Sequence, residues 1–299
     1  MRTQSTIRIL FNKSLSPRIL LSMKKPFCHI RKCLNTYRLS IVLLFCVVVL
    51  ALTFAASAQV GKTTIYFYSS ETSINNFKSL KMEFDRYLSK RGPYELQPFS
   101  EREAFEQYVK DKKQCILLLS SWHYSKINKE YALTAALAGT RNGQKYQKRV
   151  LVTKDESVKT GRVASASSVE HTNSYLKAML KGEALIDEIQ VLTVPKDIDA
   201  LMSVGFGMSK LALTSGNALD ELKKVNPTLH QKMKILAEGE ESLSLIVAVP
   251  ENFRKEAAKI VAIFQNMAAD PDGKEKLMML GLDGWQPLDP SEQLKLEAQ

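Results

Sequence analysis

From residue 64 onward the 299-residue chain alternates short apolar or β-branched runs with stretches whose apolar residues recur every three or four positions. Residues 64–68 predict a first strand. Ile74, Phe77, Leu80, Phe84 and Leu88 then keep helical spacing, with Ser73 as the expected N-cap and Gly92 as the stop. Residues 94–99 alternate as a second strand, and Ser100-x-x-Glu103 predicts a capping box opening a helix through Phe105, Tyr108 and Val109. The run 115–119 is continuously apolar, as expected of a strand covered on both faces. Further strands are expected at 131–138 and 148–153.

A second series follows the same rhythm. Strands are expected at 162–166, 190–194, 211–214 and 232–236, and a long alternating one at 242–249. Helices are expected at 169–180, through Ile198, Leu201 and Met202 until Gly205-Phe206-Gly207 breaks them, at 218–225, from Pro250 through Met267, and at 273–280. Strand and helix in regular alternation predict an α/β fold with largely parallel sheets.

Upstream the pattern is different. Arg38 leads into twelve apolar residues, 41–52, closed by Ala56-Ser57-Ala58. A basic entry, a short apolar core and a small-x-small exit predict a signal peptide cleaved after Ala58, which places the mature chain in the periplasm. An uncleaved inner-membrane anchor is the alternative, because 53–56 lengthen the apolar core to 39–56. Met23-Lys24-Lys25 makes a more ordinary start for such a leader than Met1.

Export changes the charge and the cysteine count. Nine of the 42 Lys and Arg lie within 1–58, where there is no Asp or Glu, leaving 33 basic against 31 acidic residues. The formal charge of +11 therefore belongs mostly to the leader and does not argue for nucleic-acid binding. Cys28, Cys33 and Cys46 leave with it, so Cys115 has no disulfide partner and reads as a small buried hydrophobe.

A search for catalytic chemistry comes up short. His123, His171 and His230 lack metal-helix spacing, and no Cys-x-x-Cys, Walker A loop, G-x-S-x-G or dinucleotide fingerprint occurs. His230, among Pro227, Lys232 and Lys234, reads as a solvated turn residue. No cofactor, metal or enzymatic activity is expected. What recurs is a hydroxyl cluster where a strand hands over to a helix: Ser69 and Ser70 before Glu71-Thr72, Ser120 and Ser121 before Trp122-His123-Tyr124, Ser167 and Ser168 before His171 and Thr172, and Thr214 before Ser215. Carboxyl ends of parallel strands form ligand crevices, and free N–H groups of helix N-termini favour an anion there. Ser and Thr also serve as ordinary N-caps.

With Ser120-Ser121-Trp122-His123-Tyr124, the segment from Val204 to Thr214, and Leu280-Gly281-Leu282-Asp283-Gly284-Trp285, the chain resembles the periplasmic phosphate and phosphonate substrate-binding proteins of ABC transporters. The resemblance covers 63–288. It implies the two-lobed type 2 periplasmic-binding fold, each lobe a mostly parallel sheet flanked by helices, with a ligand trapped between lobes by hinge closure. The implied division is 61–148 plus 240–290 for lobe 1, 149–239 for lobe 2, and a tail at 291–299. The resemblance implies Tyr124, Ser167, Ser168 and Thr172 as ligand residues, with His171 beside them, and the hydroxyl clusters add Ser69, Ser70, Ser120, Ser121 and Thr214 to the expected site. The implied partners are a small anionic ligand and a transporter permease, with a monomeric protein. The alternative is a periplasmic sensory or adaptor protein of the same fold acting through a membrane sensor. Two departures stand out. Val169-Glu170 replaces the family's Ser-Thr-Ser-Gly character after Ser168, and Ser209-Lys210-Leu211-Ala212 lacks the acidic residue that would pair with a ligand amine.

Overall fold

The computed structural model describes residues 61–158, 160–181 and 189–298. The expected leader lies outside them. Among the described residues no helix is long and apolar enough to cross a membrane.

The strands form two sheets. The first has the order β11-β4-β10-β3-β1-β2, with β1 Thr63–Phe67, β2 Tyr94–Pro98, β3 Cys115–Ser120, β4 Leu133–Thr140, β10 Leu245–Pro250 and β11 Gly284–Pro287. The second has the order β7-β6-β8-β5-β9, with β5 Tyr146–Thr153, β6 Arg162–Ser165, β7 Gln190–Thr193, β8 Leu211–Ser215 and β9 Lys234–Leu243. Each keeps a parallel core, β2-β1-β3 and β7-β6-β8. β10 joins the first core antiparallel at β3 and β5 joins the second antiparallel at β8, and β4, β11 and β9 extend the sheets by further antiparallel pairings.

The alternation of side chains explains why both sheets are layered. In β1 and β3, Ile65, Phe67, Ile116 and Leu118 face one core while Tyr66, Leu117 and Leu119 face another. Helices α1 (Phe77–Ser89), α8 (Arg254–Gln265) and α9 (Pro271–Met279) cover the first face with Leu80, Phe84, Ile260, Phe264 and Leu277. The second face receives Phe105 of α2 (Arg102–Val109), Tyr124 of α3 (Ser121–Ile127) and Leu296 of α10 (Pro290–Ala298). In the other sheet, Val150, Val152 and Ala212 meet α5 (Asp197–Gly205) and α6 (Gly216–Val225). Leu151, Val163 and Leu213 pack with Leu176 of α4 (Val169–Met179) on the opposite side.

The chain passes between sheets twice. After β4 it turns through Asn142 and Gly143, both at positive φ, with Arg141 and Gln144 exchanging backbone hydrogen bonds in a type I′ geometry. It returns at Ser244 alone, whose N–H donates to the Lys145 carbonyl and whose hydroxyl donates to the Gly139 carbonyl.

Several local expectations change. Asn76, not Ser73, caps α1, accepting from the Ser79 N–H at 2.9 Å. Glu101 occupies the N-cap of α2 without a side-chain bond, so the Ser100-x-x-Glu103 box does not form, and Tyr108 is exposed. The continuous 242–249 run is cut at Ser244, because Leu243 still pairs with β5 while Leu245 already pairs with β3. His230 sits in a short helix, α7 (Pro227–Lys232), capped by Asn226, and not in a turn. The tail beyond 290 is helical and anchored by Leu296 in the core.

Phe264 is fully buried and meets Trp285 edge-on at 5.8 Å. Phe264→Ala should cost about 3–5 kcal/mol in urea unfolding followed by tryptophan fluorescence. A cost below 1 kcal/mol would contradict the packing described.

Candidate ligand-binding site

The carboxyl ends of the two parallel cores face each other. The Asp197 N–H donates to the Ser70 carbonyl at 2.9 Å, and the Tyr68 hydroxyl donates to the Pro195 carbonyl at 2.9 Å. Lys196 reaches across to the Ser69 carbonyl at 2.6 Å, its ammonium over the Tyr68 ring. Burial lowers the Lys196 pKa to about 8. Trp122 donates its indole N–H to Ser70 Oγ at 3.2 Å and packs its ring 5.3 Å from that of His171 in α4.

Beside these contacts lies a cavity of about 320 Å³. Ser121 and Trp122 line it from the first sheet's side; Arg149, His171 and Tyr175 line it from the second, with residues 238–242 of β9 and with Glu71. Arg149 is only 3% exposed, so its charge must be met inside the protein. One guanidinium nitrogen lies 3.4 Å from Asp197 Oδ1. The other carboxylate oxygen of Asp197 accepts from the Ser215 N–H at the start of α6 at 2.9 Å. Arg149 Nε and Nη1 are buried and have no partner in the protein.

Glu71 is the second buried carboxyl. Gln147 donates to it at 2.6 Å and is itself held by Asn217 at 2.7 Å. Burial, then the neighbouring Asp197, pushes the Glu71 pKa up to about 7 against the opposing pull of Arg149. Burial, then the Arg149 charge, pushes His171 down to about 4, so its imidazole is neutral at neutral pH. His171 Nε2 is another buried atom without a partner.

The ten residues expected to hold a ligand divide. Ser69 accepts from the Glu71 N–H and meets Ser120 Oγ at 3.3 Å. Ser121 donates to the Leu243 carbonyl at 2.5 Å, Ser168 caps α4 by accepting from the His171 N–H, Thr172 donates to Ser165 and to the Ser168 carbonyl, and Thr214 donates to the Asp197 carbonyl. Ser70 accepts from Trp122. Tyr124 is core, its hydroxyl on the Leu133 carbonyl, and is not among the residues around the cavity. Ser167 Oγ, buried at the start of α4, is the only hydroxyl of the set without a partner. Glu170 is exposed and turned to solvent, and so is Lys210. His123 is buried against Glu106 at 3.0 Å, away from the cavity. Among the described residues no cluster of His, Cys, Asp and Glu could hold a metal ion.

The residues that sequence patterns passed over are Arg149, Asp197 and Tyr175. The only signal for Arg149 was its place next to the apolar stretch Val150-Leu151-Val152, which it shares with Lys148 one residue earlier.

The family described as "ABC transporter, phosphonate, periplasmic substrate-binding protein" matches residues 65–293. The chain belongs to this family. Its members are periplasmic solute-binding proteins of ABC transporters and not enzymes. A binding-protein component of an ABC phosphonate transporter from Pseudomonas aeruginosa superposes with a TM-score of 0.63 at 13% identity, covering 79% of this chain and 84% of that one. PhnD1 from Prochlorococcus marinus, in complex with methylphosphonate, gives 0.63 at 12% identity, covering 79% and 96%. The Xanthomonas citri protein XAC2383, bound to chloride ion, gives 0.62 at 13%, covering 79% and 95%. At these identities the likeness concerns the two-lobed fold. No curated protein matches the sequence.

The raised Glu71 pKa fixes a pH dependence. The unfolded chain ionises this carboxyl near its ordinary value of 4.5, the folded protein only near 7. Its contribution to stability is therefore complete below about pH 4.5 and is lost as pH rises through about 7. Glu71→Gln removes the ionisation. Its stability relative to wild type should rise by on the order of 1–3 kcal/mol between pH 5 and pH 8 in urea unfolding. A pH-independent difference would contradict the assignment.

Proposed function

We propose that this family member captures a small oxyanion of the phosphonate, phosphate or carboxylate type between its lobes. The observation that carries the reading is Arg149: a buried guanidinium, in a cavity between the facing sheets, with two nitrogens lacking a protein partner. Leaving such donors unmet costs roughly 1–3 kcal/mol each; both are closed off in this conformation, so an anion would meet them once the lobes part to admit it. Ser167 Oγ is a further unmet donor at the positive end of α4, a helix whose His171 lines the cavity although Ser167 itself does not.

In this reading recognition rests on one arginine and one helix terminus more than on a ring of hydroxyls. The polypeptide crossings at 141–145 and at Ser244 act as the hinge, and the cross-sheet bonds of Asp197, Lys196 and Gln147 hold the lobes closed over the ligand. Delivery goes to an ABC permease from the periplasm, reached through the N-terminal leader. Closure with ligand but no transport partner would favour instead a sensory or adaptor role.

A thermal-shift panel of phosphate, methylphosphonate, sulfate and carboxylates tests the proposal. A ligand at 100 times its Kd stabilises by about 2.7 kcal/mol. At this size that is a rise in Tm of roughly 5–10 °C. Arg149→Gln should abolish the rise, and Ser167→Ala should weaken binding by about tenfold with little loss of stability. A panel without a shift, or a shift that survives Arg149→Gln, would refute the reading.

A further inference from the structure

A compact tetrahedral anion uses little of this site. The cavity of about 320 Å³ lies at the lower end of the range that organic ligands occupy, roughly 300–1,000 Å³. Its walls are unlike those of an inorganic-anion cradle. Trp122, His171 and Tyr175 form a continuous ladder of rings, with centroids 5.3 Å apart for Trp122 and His171 and 5.9 Å for His171 and Tyr175. The His171–Tyr175 planes differ by only 29°, and Ala178 and Met179 extend the apolar surface along α4.

The ladder is held in position. Trp122 is fixed by Ser70, and Tyr175 lies directly over Gly239 of β9, where an added Cβ would stand 2.3 Å from its hydroxyl oxygen. Only glycine allows the ring that approach. The Tyr175 hydroxyl also donates to the Glu240 carbonyl at 3.3 Å. Since His171 is neutral at neutral pH, the ladder offers an aromatic wall and one uncharged nitrogen, not a second cation.

Charge points the same way. Arg149 and Lys181 are the cations around the cavity, against the carboxyl groups of Glu71, Glu238, Glu240 and Glu241. Glu238 is paired with Lys148 at 3.1 Å. A ligand bearing several negative charges would meet acidic walls away from Arg149. One with a single anionic head and a neutral or donor-bearing body would not.

Building on the anion-capture reading, we propose that the site takes an organic anion with a flat aromatic or heterocyclic body, its head on Arg149 and its ring against the Trp122–His171–Tyr175 ladder. Tyr175 is then the specificity-determining residue, and Gly239 the position that makes room for it.

Titration calorimetry with matched pairs tests this: phenylphosphonate against methylphosphonate, benzoate against acetate, with benzyl alcohol as the neutral flat control. The flat anion of each pair should bind at least tenfold more tightly and perturb tryptophan fluorescence. Tyr175→Ala should cut that preference at least tenfold and Tyr175→Phe should keep it. Arg149→Gln should weaken both members of a pair. Equal affinity within the pairs overturns the flat-body inference and leaves anion capture standing. Absence of binding by any anion overturns both. Benzyl alcohol binding as tightly as benzoate overturns the role of Arg149.

Discussion

The buried charge of Arg149 constrains everything around it. A guanidinium removed from water needs compensation within its own reach, and Asp197 supplies only part of it. Asp197 is in turn held by the Ser215 N–H, so the charge pair ties β5 to the starts of α5 and α6. Removing one partner of such a pair commonly costs about 3–5 kcal/mol, because the other is left uncompensated. The same arrangement leaves two nitrogens without a protein partner, and in the proposed reading these are the donors that meet the ligand, so that stability and recognition depend on one group.

The rest of the architecture places that group. Parallel cores in both sheets bring their carboxyl ends together, with the loop after β1 touching the loop after β7 through Ser70 and Asp197. Two antiparallel strands, β5 and β9, then carry Arg149 and Gly239 up to the same cavity from the crossing side. Glu71, near neutrality in its ionisation, is bonded to Gln147 across the gap between the sheets. Its protonation removes a negative charge from beside Asp197, so the acidity of the cavity varies with pH near 7.

Much of this fold was legible as hydrophobic spacing. The runs 64–68 and 115–119, the helix through Leu80 and Phe84, and the Gly205-Phe206-Gly207 break all lie where side-chain periodicity is unambiguous. The family motifs then supply the two-lobed arrangement. The errors have local physical causes. Asn76 caps better than Ser73 because the helix starts three residues later than its first apolar position suggests. Ser244 interrupts an alternating run because tertiary pairing changes sheets there, and no periodicity reports which sheet a strand joins. The hydroxyl clusters were visible, but Ser and Thr at strand-to-helix turns serve both caps and ligands. Only the partner of each oxygen tells them apart, which is why Ser167 separates from Ser168 and Tyr124 proves to be core. Arg149 shows the reverse case: a residue without a motif, made significant by burial alone.

The most direct measurement is the ¹⁵N–¹H spectrum of the arginine Nε groups, with Arg149 assigned from its disappearance in Arg149→Gln. If Arg149 receives the ligand, its Nε–H resonance moves on titration with a binding anion while the exposed arginines stay in place. An anion that binds and stabilises the protein while the Arg149 resonance remains fixed would contradict the account at its centre.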